Sequence, residues 1–432
     1  MRSFPRIGLS AALVVFAGML GACSSSSNNV APTSVRLVNA TTAAATSPVL
    51  DLSLSGTPAV TGITVGSASG YTSQNPSTYA ASVTDETGTL SSGTPLTVNL
   101  GTGESYTIVA YTLGTTVAMG YLTDNLGIPS SGQSTVGFAN FSTDAGPLDI
   151  YVLAQNTASV PAGVQPVFGG VTGQSLPVTE PAGNYTIIAT KPNSPTDIRF
   201  INESVSLAGG QAEVMAFTPT SGGGLVNGML IVQGGGATTM AMNYARVRIA
   251  AELPTVGTQV AATVGTTAVA TSNAPYVGPY TLVPAGVAVG NVTSGGAQVT
   301  SPSTTPLTAG DDYTLVVYGS TPTASLLQDD NQYPGNGAAS IRLVNVAAGS
   351  GTVSLYVNSA VVSLATYSAT AAAASAYAGI TPSSSVPISL GGGSGTISFL
   401  SGATTATFVS GSVYSVFVYN ATGTGAILTG DR

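Results

Sequence analysis

One cysteine, one lysine and no histidine stand among the 432 residues. Most side-chain chemistry is therefore closed to this chain. Without histidine or a second thiol there is no Ser-His-Asp or Cys-His nucleophile system. His/Cys zinc and copper sites are excluded on the same ground. The single lysine, Lys191, lies in "ATKPNSP", a turn-like stretch that reads as a solvated loop rather than as half of a Ser-Lys dyad. Carboxylates remain, and a glycosidase needs two of them facing each other across a cleft. The acids here, among them Asp51, Asp85, Glu86, Glu104, Asp124, Asp144, Asp149 and Glu180, are thinly spread. The adjacent Asp311 and Asp312 would point to opposite faces of a strand. No catalytic residue and no cofactor are expected, and a carboxylate-dependent hydrolase is the lesser alternative. Calcium prefers loop oxygens, and "LLQDDNQ" offers Asp329, Asp330 and Asn331. "YLTDN" offers Asp124 and Asn125, and "LTGDR" offers Asp431. None of these has the Asp-x-Asp-x-Asp-Gly loop, so the ordinary reading is an acidic, solvated strand end. The glycine runs "SGGGL", "GGGA" and "GGGSG" lack the strand–loop–helix setting of a phosphate cradle and read as turns and hinges.

The cysteine has a context of its own. Arg2 and Arg6 precede the apolar run "IGLSAALVVFAGML" (residues 7–20), the pattern of a secretory signal and too short to span a bilayer. Leu20-Gly21-Ala22-Cys23 resembles the lipobox of bacterial lipoproteins. The resemblance implies a signal peptide over 1–22, cut before Cys23. It also implies fatty chains such as palmitate on the Cys23 sulfur and amino group, so that the membrane is a partner through lipid. One chain holds a protein only marginally, and two or three hold it firmly. Ser24, rather than Asp, follows the cysteine, which in that family implies the outer membrane of a Gram-negative envelope. Residues 23–32 then read as a lipidated, flexible tether.

Loss of residues 1–22 takes the basic count from 9 to 7 against 17 acids, a net charge of about −10. That balance excludes nucleic acid as a partner, since phosphates need a basic surface. Charged residues make up only 6% of the chain, so the solvent face must be built from Ser, Thr, Asn, Gln and Gly. Abundant Thr, Ser, Val, Gly and Tyr favour strands and turns.

Positioning falls to a repeat. "SVRLVNA" (34–40), "TVGFANF" (135–141), "RVRIAAE" (246–252) and "SIRLVNV" (340–346) recur at spacings of 101, 111 and 94, the size of a whole domain. A second marker follows late in each copy. Leu100-x-x-Gly103-x-x-Tyr106, Leu307-x-x-Gly310-x-x-Tyr313 and Phe408-x-x-Gly411-x-x-Tyr414 each place a turn glycine before an alternating strand. The second copy keeps Leu207 and Gly210 but has Glu213 at the tyrosine position. Tyr106, Tyr313 and Tyr414 are read as structural tyrosine corners of an immunoglobulin-like sandwich. Arg36, Arg248 and Arg342 share one place in the opening strand. Alternation predicts that Arg36 faces away from Val35 and Leu37 and meets Asp51 as an exposed pair. Residues 364–380 are too apolar and too interrupted to assign between helix and strand.

The expected fold is all-β: four tandem immunoglobulin-like or transthyretin-like β-sandwich domains at 33–128, 133–233, 243–332 and 338–432. Gly/Ser/Pro-rich linkers "GIPSSGQS", "QGGGATTMAMN" and "NQYPGNGA" join them. "SVRLVNATTAAATSPVLDLSLSG" and "STVGFANFSTDAGPLDIYVLAQN" resemble the opening of the family called domain of unknown function 4397. The matching positions are Arg36, Asn39 and Asp51, then Asn140, Asp144, Asp149 and Pro181–Tyr185, and Arg342 and Asn345. Asn stands where many members carry His. The family implies tandem β-sandwiches on exported bacterial proteins and no agreed activity. The expected role is non-catalytic, structural or adhesive, at the cell envelope. The alternative is a carbohydrate- or cell-wall-binding protein using Tyr-bearing loops, with an envelope polysaccharide or protein as partner.

Overall fold

The computed structural model describes residues 31–42, 48–87, 92–114, 116–300, 304–366, 371–392, 395–399, 404–420 and 424–432. Every regular element among them is a strand. The signal segment, Cys23 and the tether to residue 30 lie outside the described residues.

Each repeat opens with a strand whose two faces are both apolar or buried. In the first it is Thr33–Ala40, and it pairs in parallel with a return strand, Ser105–Leu113. Parallel neighbours need a long crossover, and here the crossover is the whole second sheet. The first sheet runs Thr72–Gln74, Thr33–Ala40, Ser105–Leu113 and the closing strand Thr116–Thr123. The second runs Thr57–Ile63, Leu50–Leu54, Ser77–Asp85 and Leu96–Leu100. Val35, Leu37, Leu52, Val83 and Ile108 fill the space between the two sheets. The third repeat repeats this plan, with opening strand Tyr244–Glu252, return strand Asp312–Tyr318 and closing strand Thr323–Asp329 in one sheet. Its second sheet runs Thr267–Asn273, Gln259–Val264, Val289–Ser294 and Ala297–Val299.

The second and fourth repeats vary it. In the second, Gln133–Asn140, Ala212–Pro219 and Val226–Val232 are the opening, return and closing strands. A further strand, Ala237–Met240, pairs with the closing one. That strand lies inside the stretch "QGGGATTMAMN", which is therefore part of a sheet and not a linker. Thr238, Thr239 and Met240 extend beside Val226–Val232, and Gln233–Gly236 make the turn. In the fourth repeat the opening, return and closing strands are Ala339–Asn345, Val413–Asn420 and Thr424–Gly430. There the two sheets join, because Gly395–Phe399 of one pairs in parallel with Thr424–Gly430 of the other, giving one ten-stranded sheet. Within residues 364–380, Ala373–Ala374 and Ala378–Ile380 are short strands against the opening strand.

The first sheets do not face water. Val38, Val109 and Leu122 of repeat one pack on Val214, Met229 and Ile231 of repeat two. Ala250, Val316 and Tyr318 of repeat three pack on Val344, Phe417 and Tyr419 of repeat four. Repeats two and three also meet, where Tyr244 and Leu282 lie against the core of repeat two. A buried aliphatic or aromatic side chain contributes roughly 1.5–3 kcal/mol, so these seams are secondary cores rather than loose contacts.

Candidate functional site: the buried arginines at the joints

The same four side chains assemble in three of the four repeats. The arginine stands on the opening strand, and directly across the parallel register is a hydroxyl: Arg36 opposite Thr107, Arg248 opposite Thr314, Arg342 opposite Ser415. Each arginine Nε donates to that hydroxyl, at 2.7, 2.9 and 2.8 Å. The hydroxyl in turn donates to an aspartate at or just after the closing strand, namely Asp124, Asp329 or Asp431. A tyrosine lies under each guanidinium, with centroid distances of 4.7, 4.7 and 4.8 Å for Tyr71, Tyr280 and Tyr377. Its hydroxyl donates to the same aspartate, at 2.5, 2.6 and 3.2 Å. Repeat two lacks all four groups together. Gly137 pairs with Val214 at the arginine and hydroxyl places, and Gln233 and Pro177 stand where the aspartate and tyrosine would be.

The terminal nitrogens of each arginine reach into the neighbouring repeat. Arg36 donates to the Gly235 and Val232 carbonyls of repeat two, at 2.7 and 3.0 Å. Between repeats three and four the exchange is reciprocal. Arg248 pairs with Asp431 at 2.7 Å, and Arg342 pairs with Asp329. A contact of residue i with j matched by j with i is the signature of a two-fold face, here within one chain. Burial alone would raise the Asp329 carboxyl, but Arg342 and Arg248 outweigh it and hold the group below the usual carboxylate value. At Asp124 burial wins over Thr107, Tyr71 and Arg36, which is 3.7 Å away, and the group is raised.

A second cluster ties repeat two to repeat three. Asp197 pairs with Arg199 at 2.9 Å and with Arg246 at 3.1 Å. Arg246 also pairs with Asp312 at 2.6 Å, and its guanidinium lies 4.7 Å from the Tyr280 ring that also carries Arg248. Burial and then the neighbouring Arg246 charge push Arg199 down to about 10. The run Gly222–Gly224 threads this joint. A Cβ on Gly224 would stand 1.8 Å from Arg246 Nη2, and one on Gly222 would stand 2.5 Å from the Gly310 carbonyl oxygen. The glycines are thus a close-approach segment, not a hinge. Arg432 of repeat four donates to the Thr143 carbonyl of repeat two at 2.6 Å and stacks on Tyr333.

Several expectations are corrected by this arrangement. Arg36 is not an exposed partner of Asp51: it is 1% exposed, and Asp51 accepts from the Gly62 amide instead. Alternation failed as a guide to exposure because the second face of the opening strand is covered by the next repeat. The acidic strand ends are not solvated, since Asp124, Asp329 and Asp431 are all buried. Asp329 is filled by Arg342, Tyr280 and Thr314. Asn331 turns toward Asp312, and Asp330, which is exposed, accepts from the Gln332 amide. The three calcium candidates therefore do not converge. Asp311 and Asp312 do diverge, the first toward Ser221 and Gln328, the second toward Arg246. Lys191 is exposed at the end of Gly183–Lys191.

The hydroxyls of Tyr106, Tyr313 and Tyr414 each accept a backbone N–H five residues upstream, from Gly101, Thr308 and Val409 at 2.9, 3.1 and 2.9 Å. Glu213 takes the same place in repeat two, accepting from the Ala208 amide at 3.5 Å. Asn39, Asn140 and Asn345 each donate to two carbonyls, one in the loop that follows (Pro48, Gly146, Gly351) and one at or near the end of a later strand (Ile63, Val171, Ala365). The joint tyrosines and hydroxyls were missed in the sequence. Yet Thr107, Thr314 and Ser415 directly follow the corner tyrosines, and that Tyr-Thr/Ser pairing was the available signal.

The family described as "Domain of unknown function (DUF4397)" matches residues 33–151 and 245–356. The chain belongs to that family, which ascribes no activity to its members. The two matched regions begin on the first and third opening strands. No curated protein matches the chain. Among solved structures, the Bacillus anthracis TIE protein aligns at 8% identity with a TM-score of 0.14, over 86% of this chain and 66% of that one. A likeness of that size carries nothing about fold or function.

Proposed function

We propose that the chain is a non-catalytic, stiff support at the cell envelope, held to the outer membrane by lipid on Cys23. One observation carries the stiffness. Six arginines fall within residues 33–432, and every one of them engages a group at a contact between repeats. A flexible string of modules has no use for buried charge at each joint, since burying ions is costly unless they are paired. A non-catalytic role is supported by the acids themselves. The buried Asp312 and Asp329, opposite each other across their paired strands, are both taken up by arginines and hydroxyls. Tyrosines are likewise engaged inside: among the described ones only Tyr121 and Tyr276 stand out as exposed, and they lie in different repeats.

The lipid part rests on the lipobox-like junction and is tested by metabolic labelling with a palmitate analogue. The expected result is label and membrane association in the wild type, both lost in Cys23→Ser. A variant that remains on the membrane after its signal is cut would overturn the anchor.

A further inference from the structure

Two clefts share two lining residues. The first, of about 660 Å³, starts at Thr42, Thr112 and Gly114 of repeat one and reaches Ala309 and Gln332 past Pro219–Ser221 of repeat two. The second, of about 400 Å³, starts at Ser221, Gln328, Asp330 and Gln332 and ends at Arg342, Ser375 and Tyr377 of repeat four. Ser221 and Gln332 line both, and the Gln332 side-chain amide donates to the Ser221 carbonyl at 2.9 Å as a saddle between them. Each cleft is of the size that encloses a small ligand. Joined end to end, they touch all four repeats.

We infer that this groove binds a linear, uncharged polysaccharide. Its reach, from Thr42 to Tyr377, suits a polymer rather than a compact molecule. Its walls carry short hydroxyls and amides, Thr42, Thr112, Ser221, Asn227, Gln328 and Gln332, set among Met242, Leu327 and Ala309. Amides and hydroxyls both donate and accept, which matches sugar hydroxyls, while the apolar patches match the C–H faces of sugar rings. The charge balance excludes polyanions. The walls hold three charged groups: Arg342 and Asp329, which are buried and paired with each other, and the exposed Asp330 carboxylate. This inference goes beyond the support role and does not depend on the lipid anchor.

The test uses the full mature chain on an array of immobilised neutral glucans, mannans, galactans and xylans beside polyuronates and unstructured peptides. The expected result is retention by at least one neutral polymer and none by polyuronate. Asp330→Ala in one cleft and Ala309→Trp in the other each weaken that retention roughly tenfold, the scale of one or two lost hydrogen bonds. Gln155→Trp, at an exposed position lining neither cleft, leaves it unchanged, and circular dichroism shows the same strand content in all variants. No retention by any neutral polymer, retention indifferent to the groove variants, or binding confined to polyuronate or peptide would each overturn the inference.

Discussion

At the residue scale the joints set two opposite pH dependences. Asp329 is held below the ordinary carboxylate value by Arg342 and Arg248 against the pull of burial. A depressed carboxyl contributes stability that is present above its unfolded value, about 3.9, and lost as pH falls through the folded one. Glu252 is the reverse case. It is 1% exposed at the seam between repeats three and four, and neither carboxylate oxygen has a hydrogen-bond partner among the described residues. Burial raises it well above its usual value. A raised carboxyl contributes stability below its unfolded value, about 4.3, that is lost as pH rises through the folded one. Urea unfolding followed across pH should therefore separate two variants. Relative to wild type, Asp329→Asn is less stable by a constant amount above about pH 5, and the gap closes toward pH 3. Glu252→Gln gains on wild type as pH rises above about 4.3. Parallel profiles for both variants would contradict these assignments. The polar partners at these places were not legible from sequence. The chain showed Arg36, Arg248 and Arg342 at one register and Asp124, Asp329 and Asp431 at strand ends, but which aspartate meets which arginine depends on the neighbouring repeat.

At the scale of the element, the corners and opening strands were legible because they are local. A glycine with positive φ, +72°, +84° or +78° at Gly103, Gly310 and Gly411, followed three residues later by tyrosine, encodes its own geometry. The glycine run at 222–224 was not legible, because the need for glycine comes from a backbone far away in sequence. The run looks the same as a flexible turn until the Gly310 corner is set against it. Substitution tells the two apart. At Gly224 a methyl group would collide with the Arg246–Asp312 pair, and overpacking of this kind costs about 1–3 kcal/mol. At Gly236, in the superficially similar run before Ala237–Met240, a Cβ meets nothing within 4 Å. Thermal unfolding of Gly224→Ala should therefore come several degrees earlier, with proteolysis opening at the joint between repeats two and three. Gly236→Ala should melt with the wild type. If both variants melt alike, the run is only a turn.

For the whole molecule, the distribution of charge decides how it responds to salt. Exposed ion pairs are screened over a Debye length of about 8 Å at physiological ionic strength, whereas buried pairs are screened much less. A chain jointed by surface charges would loosen in high salt, and one jointed by apolar seams alone would tighten or stay the same. Here the seams combine the two: Val344, Phe417 and Tyr419 pack on Ala250, Val316 and Tyr318 around the reciprocal pairs of Arg248 with Asp431 and Arg342 with Asp329. Small-angle scattering should give one maximum dimension from 0.05 to 1 M salt. Arg342→Glu is the informative perturbation. It sets a third carboxylate beside Asp329 and Asp431 and removes the guanidinium from the Tyr377 ring, so repeat four should detach from repeat three while its own core, built on Ile341, Leu355 and Phe408, stays folded. The scattering profile then lengthens and acquires a flexible tail, and unfolding splits into two transitions. In the stretch from Leu343 to Gly430 there is no charged residue, and the two that follow are already engaged, Asp431 with Arg248 and Arg432 with Thr143 and Tyr333, so repeat four has no spare charge to replace the lost pair. An unchanged profile for Arg342→Glu would mean that the apolar seam alone holds the joint, and the stiffness argued from the arginines would have no basis.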